Sequence, residues 1–319
     1  MYADLQESFM NVSIMRSHRT RGIYGAVSFL LAFLIIFGLY YGKGFAPFGT
    51  YSMAWADANI QYLSFFAYLK DVWEGNNQIG YSFSKSLGGS NVGVASYYLM
   101  SPFNILLLLF SKAKLNTFFD LITALKIATA ACSFSLFLST YFAQNLNSRI
   151  QVGVSNVLLS LSYALSQYCI AQSSNTMWLD GVYMLPLILT GIHKLVYRGN
   201  GRMLSFCVGL SIVFNWYSGG INCLFSILWF FFELFSWCME QHFSNKRSAL
   251  RKIILVTIRY GCAMILGVML SCIVFLPTVI AMRASSRGEM EFYLLKNLRF
   301  GGIRSLVSNY TLGAVSSDW

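Results

Sequence analysis

The sequence is short of charge. Only 11% of its 319 residues are Asp, Glu, Lys or Arg, whereas soluble domains average about 25%. Hydrophobic residues make up 56% of the chain, and its mean hydropathy is +0.56. These values favour an all-α polytopic membrane protein over the alternative, a soluble domain whose uncharged runs are buried core helices.

Residue patterns of several site classes are also missing. The three histidines are scattered and the seven cysteines contain no C-x-x-C pair, so neither a metal site nor a disulfide framework is indicated. No G-x-G-x-x-G, P-loop, H-E-x-x-H or G-x-S-x-G motif occurs, so nothing indicates a nucleotide donor, a zinc peptidase or a serine hydrolase. We therefore expect no metal site and no cofactor, with dependence on a divalent metal left open.

The chain is nevertheless strongly basic, with a formal net charge of +11. The basic residues sit in short stretches between apolar runs, as the positive-inside rule for membrane proteins predicts. We therefore expect the lipid bilayer, not a nucleic acid, to account for this charge. Arg16, Arg19 and Arg21 lie in a polar N-terminal tail, residues 1–21, and predict that this tail is cytoplasmic.

Long apolar runs predict transmembrane helices, because about 20 apolar residues cross the hydrocarbon core. The runs are residues 22–41, 118–142, 152–171, 181–197, 203–217, 219–238 and 253–280. The basic loops 193–202 and 239–252 should lie in the cytoplasm with the N-terminus. A cytoplasmic location of both loops and of the N-terminus requires that the apolar segment 92–110, interrupted by S-P-F-N, is re-entrant or interfacial. The prediction is about seven crossings, and eight if 92–110 crosses.

The first outer loop, residues 43–91, contains an amphipathic stretch. Its polar residues recur at intervals of 4, 3, 4 and 3, which places them on one helical face: Asp57, Gln61, Ser64, Tyr68 and Asp71. The apolar face holds Ile60, Leu63, Phe66, Ala67 and Val72. We expect a helix lying at the outer membrane surface with its apolar side down. Asp57 stands at its start, where it is either a functional carboxylate or only a helix N-cap.

Further polar groups fall on the predicted outer side. Asp180 precedes one span, and the sequence N-W-Y-S-G-G at 215–220 contributes Asn215 and Tyr217. Arg283 and Arg287 follow the last span, in a segment (281–319) that we expect to be the truncated start of an outer region. Aromatic and amide groups suit sugars, arginines suit a phosphate, and a carboxylate suits general-base work on a hydroxyl. The set predicts glycosyl transfer from a lipid-phosphate sugar outside the cytoplasm.

Several stretches in sequence order together resemble the bacterial YfhO membrane-protein family. They are "DANIQYLSFFAYLKDVWEG", "YSFSKSLGGSNVGVASYYLMSPFNILLLLF", "SYALSQ", "NTMWLDGVYMLPLI" and "NWYSGG". The resemblance implies a GT-C glycosyltransferase module over residues 22–280. It also implies a polyprenyl-phosphate sugar donor and a cell-envelope acceptor polymer such as lipoteichoic acid.

The resemblance also implies roles for individual residues. Asp57 matches the position of the acceptor-activating base, and Asp180 matches a second outer acidic position. The implied substrate-binding residues are Gln61, Tyr62, Asn175, Trp178 and Asn215, to which the outer location adds Tyr217. Arg283, with Arg287, lies where a donor-phosphate contact is expected. Asp57 has no adjacent acidic partner, which argues against a metal held by paired carboxylates.

The sequence leaves open purely structural roles for these residues and other functions for the protein. Asp180 can be a helix cap, and Trp178 and Tyr62 can be interface-belt aromatics. Lys126, inside a span, can reach the membrane surface or pair with Asp120. A transporter or flippase of lipid-linked sugar is one rival, although Lys126 and Glu233 are a thin polar path. A non-catalytic scaffold is the other.

Overall fold

The structure, a computed structural model, describes residues 2–84, 88–142, 149–241 and 245–283. Its α-helices are α1 (Tyr2–Lys43), α2 (Leu63–Trp73), α3 (Val92–Val94), α4 (Leu115–Tyr141), α5 (Arg149–Ala164), α6 (Gln167–Ala171), α7 (Leu179–Arg198), α8 (Arg202–Phe214), α9 (Trp216–Glu240) and α10 (Lys246–Arg283). Two antiparallel strands, β1 (Tyr81–Ser82) and β2 (Gly89–Ser90), pair Tyr81 with Ser90 and Ser82 with Gly89.

Within the described residues, five helices are long and apolar enough to cross a membrane. They are Arg21–Lys43, Lys112–Tyr141, Leu179–Arg198, Trp216–Glu240 and Lys246–Arg283. This confirms the prediction of an all-α, multi-pass membrane protein. Four of the seven predicted spans fall inside these helices, and a fifth, 118–142, extends one residue past Tyr141. The total of seven crossings stays a prediction.

The two remaining predicted spans are shorter helices in the structure. The run 152–171 is divided between α5 and α6. The predicted span 203–217 is too long at its end. Helix α8 stops at Phe214 after 13 residues, about 20 Å of helix. Asn215 has extended backbone angles and its side-chain oxygen accepts the Ser218 N–H, so it caps α9.

Gly219 lies in the first turns of α9, next to α8. A Cβ at this position would lie 2.8 Å from the Ser211 carbonyl oxygen and 2.9 Å from the Ile212 Cα. Such contacts are closer than real side chains make, so the missing Cβ lets α8 and α9 approach closely. Small residues have this role at many helix contacts in membranes.

The segment 92–110 is broken, as the sequence predicted. Its two halves, Val92–Leu99 and Pro102–Leu109, meet at an angle of 89°. Pro102 stands at the start of the second half and Ser101 before it is extended, since a proline disfavours helical angles in the residue that precedes it. The re-entrant or interfacial placement of this segment stays a prediction.

Helix α4 lies at the centre of the bundle and packs against α1, α5 and α7. Its contact surface is lined by small residues such as Ala124, Ala128 and Ala131, each fully buried. Helices α8 and α9 pack on α7, and α10 packs on α8. Helices α1, α8 and α10 finish, and α4, α7 and α9 begin, at one end of the bundle, which we call the site end.

Candidate functional site

The stretch that begins at Asp57 is helical but starts with a π-helical turn, Ala58–Tyr62, before α2. A π-turn contains more residues than an α-turn and rotates the residues that follow it. The buried face is therefore Ala58, Tyr62, Phe66 and Leu69. Phe66 packs edge-on against Phe118 of α4, with ring centroids 5.1 Å apart.

The apolar face expected from a uniform 3.6-residue period is therefore wrong at its start. Ile60 is 72% exposed, whereas Phe66 is buried as expected. The buried face contacts protein at α4, and the placement of this helix at a membrane surface stays a prediction.

Asp57 is exposed directly before the π-turn and makes no side-chain capping bond to it. The capping alternative is therefore not realised in this structure. The preceding residue, Ala56, has a φ of +50°, which is uncommon for a residue with a side chain. Gln61 is exposed on the same stretch.

Tyr62 joins this stretch to the loop before α7. Its hydroxyl donates to the Asn175 side-chain oxygen at 2.9 Å, and the Asn175 amide donates to Gln172 at 2.8 Å. Burial raises the pKa of the Tyr62 phenol well above its ordinary value, and the nearby Tyr98 and Asp57 groups raise it further. Tyr62 therefore stays protonated and remains a hydrogen-bond donor.

Tyr97, in the π-helical turn Ala95–Leu99, connects three parts of the chain. The Trp178 indole N–H donates to its hydroxyl at 2.8 Å. The Asn215 side-chain amide donates to its backbone carbonyl at 2.8 Å, and Asn215 itself is fully buried. Three predicted substrate-binding residues thus meet here, because the Tyr217 ring also lies 6.1 Å from the Tyr97 ring.

Five aromatic side chains form a continuous series of ring contacts, which we call the aromatic platform. It consists of Tyr62, Tyr97, Tyr98, Trp178 and Tyr217. Ring centroids are 5.1 Å apart for Tyr62–Tyr98, 4.6 Å for Tyr97–Tyr98 and 6.4 Å for Trp178–Tyr217. Tyr217 is 46% exposed, so the platform reaches the surface of the protein. Aromatic faces with adjacent amides can stack on and hydrogen-bond a sugar ring.

Sequence reasoning missed Tyr97 and Tyr98, although both occur in one of the family-like stretches. They lie in the apolar segment 92–110, whose hydropathy indicates only a membrane location. The one available signal was two adjacent tyrosines just before the S-P-F-N interruption, where backbone is exposed to a cavity or to protein.

Asp180 is placed apart from the platform, in the interior. It is 1% exposed and forms an ion pair with Lys126, with Nζ to Oδ2 at 2.9 Å. The hydroxyls of Ser101 and Tyr183 both donate to Oδ1 at 2.8 Å. Lys126 also donates to the Thr176 carbonyl at 3.0 Å. The suggested Lys126–Asp120 pair is wrong: Lys126 pairs with Asp180, and the catalytic role of Asp180 stays a prediction.

The expected donor-phosphate residues are at and beyond the end of α10. Arg283 is exposed and ends the helix, and Arg287 lies outside the described residues. Their role stays a prediction. In the part of the chain that the structure describes, no three His, Cys, Asp or Glu side chains are grouped to hold a metal ion.

Most carboxylates in the described structure already have a partner. Asp71 pairs with Lys112, Glu74 with Lys70, Asp180 with Lys126 and Glu233 with His193. Asp120 accepts from Ser52, and Glu240 accepts from Tyr197. Among the described side chains, Asp57 is the one carboxylate with neither a hydrogen bond nor an ion pair, which leaves it available to a ligand.

The YfhO family model, described as bacterial membrane protein YfhO, matches residues 28–313. No curated protein and no solved structure matches the chain. Because the family match covers most of the sequence, this chain belongs to the YfhO family of bacterial membrane proteins.

Proposed function

We propose that this multi-pass YfhO protein is a membrane glycosyltransferase of the GT-C type. It transfers a sugar from a polyprenyl-phosphate donor to a cell-envelope polymer of the teichoic-acid kind, on the outer face of the membrane. The observation that carries the proposal is the exposed Asp57 carboxylate, free of protein partners among the described residues, on the same helical stretch as Tyr62 of the aromatic platform.

The chemistry assigns Asp57 the role of general base. Its carboxylate accepts the proton of an acceptor hydroxyl as that oxygen attacks the anomeric carbon of the donor sugar. The new carbon–oxygen bond forms as the bond from the anomeric carbon to the phosphate oxygen breaks. Polyprenyl phosphate leaves with the electron pair, and the single displacement inverts the anomeric configuration. Arg283 and Arg287 are the proposed contacts for the released phosphate charge.

The distribution of basic residues supports an outer location for the site. The opposite end of the bundle carries Arg21, Lys194, Arg198, Arg202, Lys246, Arg247, Arg251, Lys252 and Arg259. The described basic residues near the site end are Lys43, Lys70, Lys112, Lys114 and Arg283, of which Lys70 and Lys112 are ion-paired. By the positive-inside rule, this distribution supports a cytoplasmic location for the opposite end and, with it, the N-terminus.

We assign Asp180 a positioning role within the same proposal. Its carboxylate accepts three hydrogen bonds and is buried, so it has no free access to an acceptor hydroxyl. Through Ser101 it fixes the bend of segment 92–110, which carries Tyr97 and Tyr98. Asp180 therefore sets the shape of the platform without touching the reacting atoms.

The transporter alternative loses support from the same contacts. It requires polar groups that are available along a path through the membrane. Lys126 is held by Asp180, and Glu233 is held by His193 at 3.2 Å and by the Trp229 indole N–H at 3.1 Å. Both intramembrane charges are therefore paired within the protein, and a further buried charge, Asp120 near the site end of α4, is bonded to Ser52 and Met53.

The test is sugar incorporation into the cell-envelope polymer by the full-length protein, comparing wild type with Asp57→Asn. We expect incorporation to fall by about 100-fold or more, since a positioned general base contributes about 10²–10⁴-fold. Asp71→Asn is the matched control, because Asp71 lies on the adjoining α2 and pairs with Lys112 away from the platform. Near-normal incorporation by a correctly inserted Asp57→Asn protein contradicts the base assignment.

A further inference from the structure

We propose that Asp120 is a positioning residue that fixes the loop carrying Asp57 onto α4. This inference rests on the proposed function only for its catalytic consequence, because the contact itself can be tested without sugar transfer. Asp120 is fully buried near the start of α4, and no cation contacts it among the described residues.

The carboxylate of Asp120 receives two hydrogen bonds from the first outer loop. The Ser52 hydroxyl and the Met53 backbone N–H both donate to its Oδ1, each at 2.8 Å. The Tyr40 hydroxyl, near the end of α1, donates to the Asp120 backbone carbonyl at 3.4 Å. Hydrogen bonds to a charged acceptor are shorter and stronger than neutral ones. Asp120 thus joins α1, α4 and the loop.

Hydrogen bonds continue from this contact to Asp57. The Ser52 hydroxyl accepts the Ala54 N–H at 3.1 Å, and the Met53 carbonyl accepts the Trp55 N–H at 3.0 Å. The Trp55 carbonyl accepts the Ala58 N–H at 3.1 Å. Each link spans only two or three residues, so the backbone at Asp57 has little freedom once residues 52 and 53 are fixed.

The unusual angle of Ala56 requires this kind of support. A residue with a side chain at a φ of +50° carries a conformational cost, and such residues persist where the surrounding contacts over-determine them. The Ala56 carbonyl accepts the N–H groups of Asn59 and Ile60, at 3.1 and 3.2 Å, on the far side of Asp57. The strained residue therefore sits between the Asp120 contact and the π-turn, and it sets the direction in which Asp57 leaves the loop.

The reporter for the contact is Ala54→Cys, because Ala54 is 8% exposed when the loop is docked. We would measure its labelling by a membrane-impermeant maleimide in cells that carry the full chain, against the same chain without the reporter. Asp120→Ala should raise the labelling rate by about tenfold or more, since it removes two bonds to a charged acceptor. Ser52→Ala should give a smaller rise, and adding it to Asp120→Ala should give no further increase.

Asp120→Asn is the conservative variant and should recover most of the protection, because its side-chain oxygen still accepts both bonds. Ser135→Ala is the matched control. Ser135 is fully buried on the same helix, about 22 Å along it from Asp120, and its hydroxyl donates to Asn156. It should leave labelling unchanged. If Asp120→Ala protein fails to insert, the comparison of Ser52→Ala with Ser135→Ala carries the test.

The catalytic consequence is read separately, in membranes, as a fall in kcat with little change in the KM for the donor. Unchanged labelling in the Asp120→Ala and Ser52→Ala proteins overturns the proposal, and so does an equal rise with Ser135→Ala. Increased labelling combined with normal kcat also overturns it, because the contact is then structural only. If the wild-type chain transfers no sugar, the proposed function fails, while the labelling result still decides whether Asp120 holds the loop.

Discussion

The buried ion pair between Lys126 and Asp180 gives the most quantitative prediction. Both side chains are 1% exposed, and the two charged groups are 2.9 Å apart. Removing one partner of such a pair costs about 3–5 kcal/mol, because the other charge is left buried without compensation. We therefore expect Lys126→Met to lower the free energy of unfolding by about 3–5 kcal/mol, and Asp180→Leu to lower it by a similar amount.

The double variant should be less damaging than the sum of the two. Without either charge, the remaining cost is that of the Ser101 and Tyr183 hydroxyls, which lose their acceptor at about 1–2 kcal/mol each. The expected loss is therefore about 2–4 kcal/mol for the double variant, against about 6–10 kcal/mol if the single effects added. A non-additivity of this size shows that the two side chains are energetically coupled, as the 2.9 Å ion pair requires.

The assay is equilibrium unfolding of the purified full chain in detergent micelles, followed by tryptophan fluorescence. Lys114→Met is the matched control, because it makes the same chemical change at an exposed position and should fall within about 0.5 kcal/mol of wild type. Additive single effects, or a Lys126→Met loss below about 1 kcal/mol, refute the assignment of a coupled buried pair.

The same proteins separate the two roles of Asp180 in the incorporation assay. A positioning role predicts that the double variant, once folded, regains a substantial part of the sugar transfer that each single variant loses. A catalytic role predicts that transfer stays absent even where the double variant is stable.

Two further predictions concern the platform and the helix packing. Trp178→Phe keeps an aromatic face but removes the indole N–H that donates to Tyr97. We expect the KM for the sugar donor to rise several-fold in transfer kinetics, and the free energy of unfolding to fall by about 1 kcal/mol. An unchanged KM contradicts a platform role. Gly219→Ala places a methyl group 2.8 Å from the Ser211 carbonyl and should cost about 1–3 kcal/mol in the unfolding assay, whereas Gly220→Ala, with open space around it, should not.

Hydropathy and charge were sufficient for the helical architecture because membrane crossing depends on the average composition of about 20 residues. The run at 253–280 lies entirely within α10, and the run at 219–238 lies within α9. Local errors came where one residue changes the backbone. Asn215 ends α8 earlier than its apolar neighbours suggest, because its side chain caps the next helix.

The candidate site was harder to predict, since its geometry depends on contacts between distant segments. The family resemblance implied Tyr62, Asn175, Trp178 and Asn215, and the structure places them around Tyr97 and Tyr98. No sequence period reveals that Tyr97 receives bonds from two other loops. The partner of Lys126 was misassigned for the same reason: Asp120 is six residues away on the same helix, whereas Asp180 is brought near only by packing of α7 on α4.

Asp57 is positioned from two directions, and both depend on helix α4. Before it, Asp120 holds the loop at Ser52 and Met53. After it, Tyr62 bonds to Asn175 in the loop that leads into α7, which is itself held to α4 by the Lys126–Asp180 pair. The distance from the proposed base to the platform therefore depends on how α4 and α7 pack. One buried carboxylate, Asp180, holds α7 to α4, and another, Asp120, holds the loop to α4, while Asp57 is exposed at the position of the proposed base.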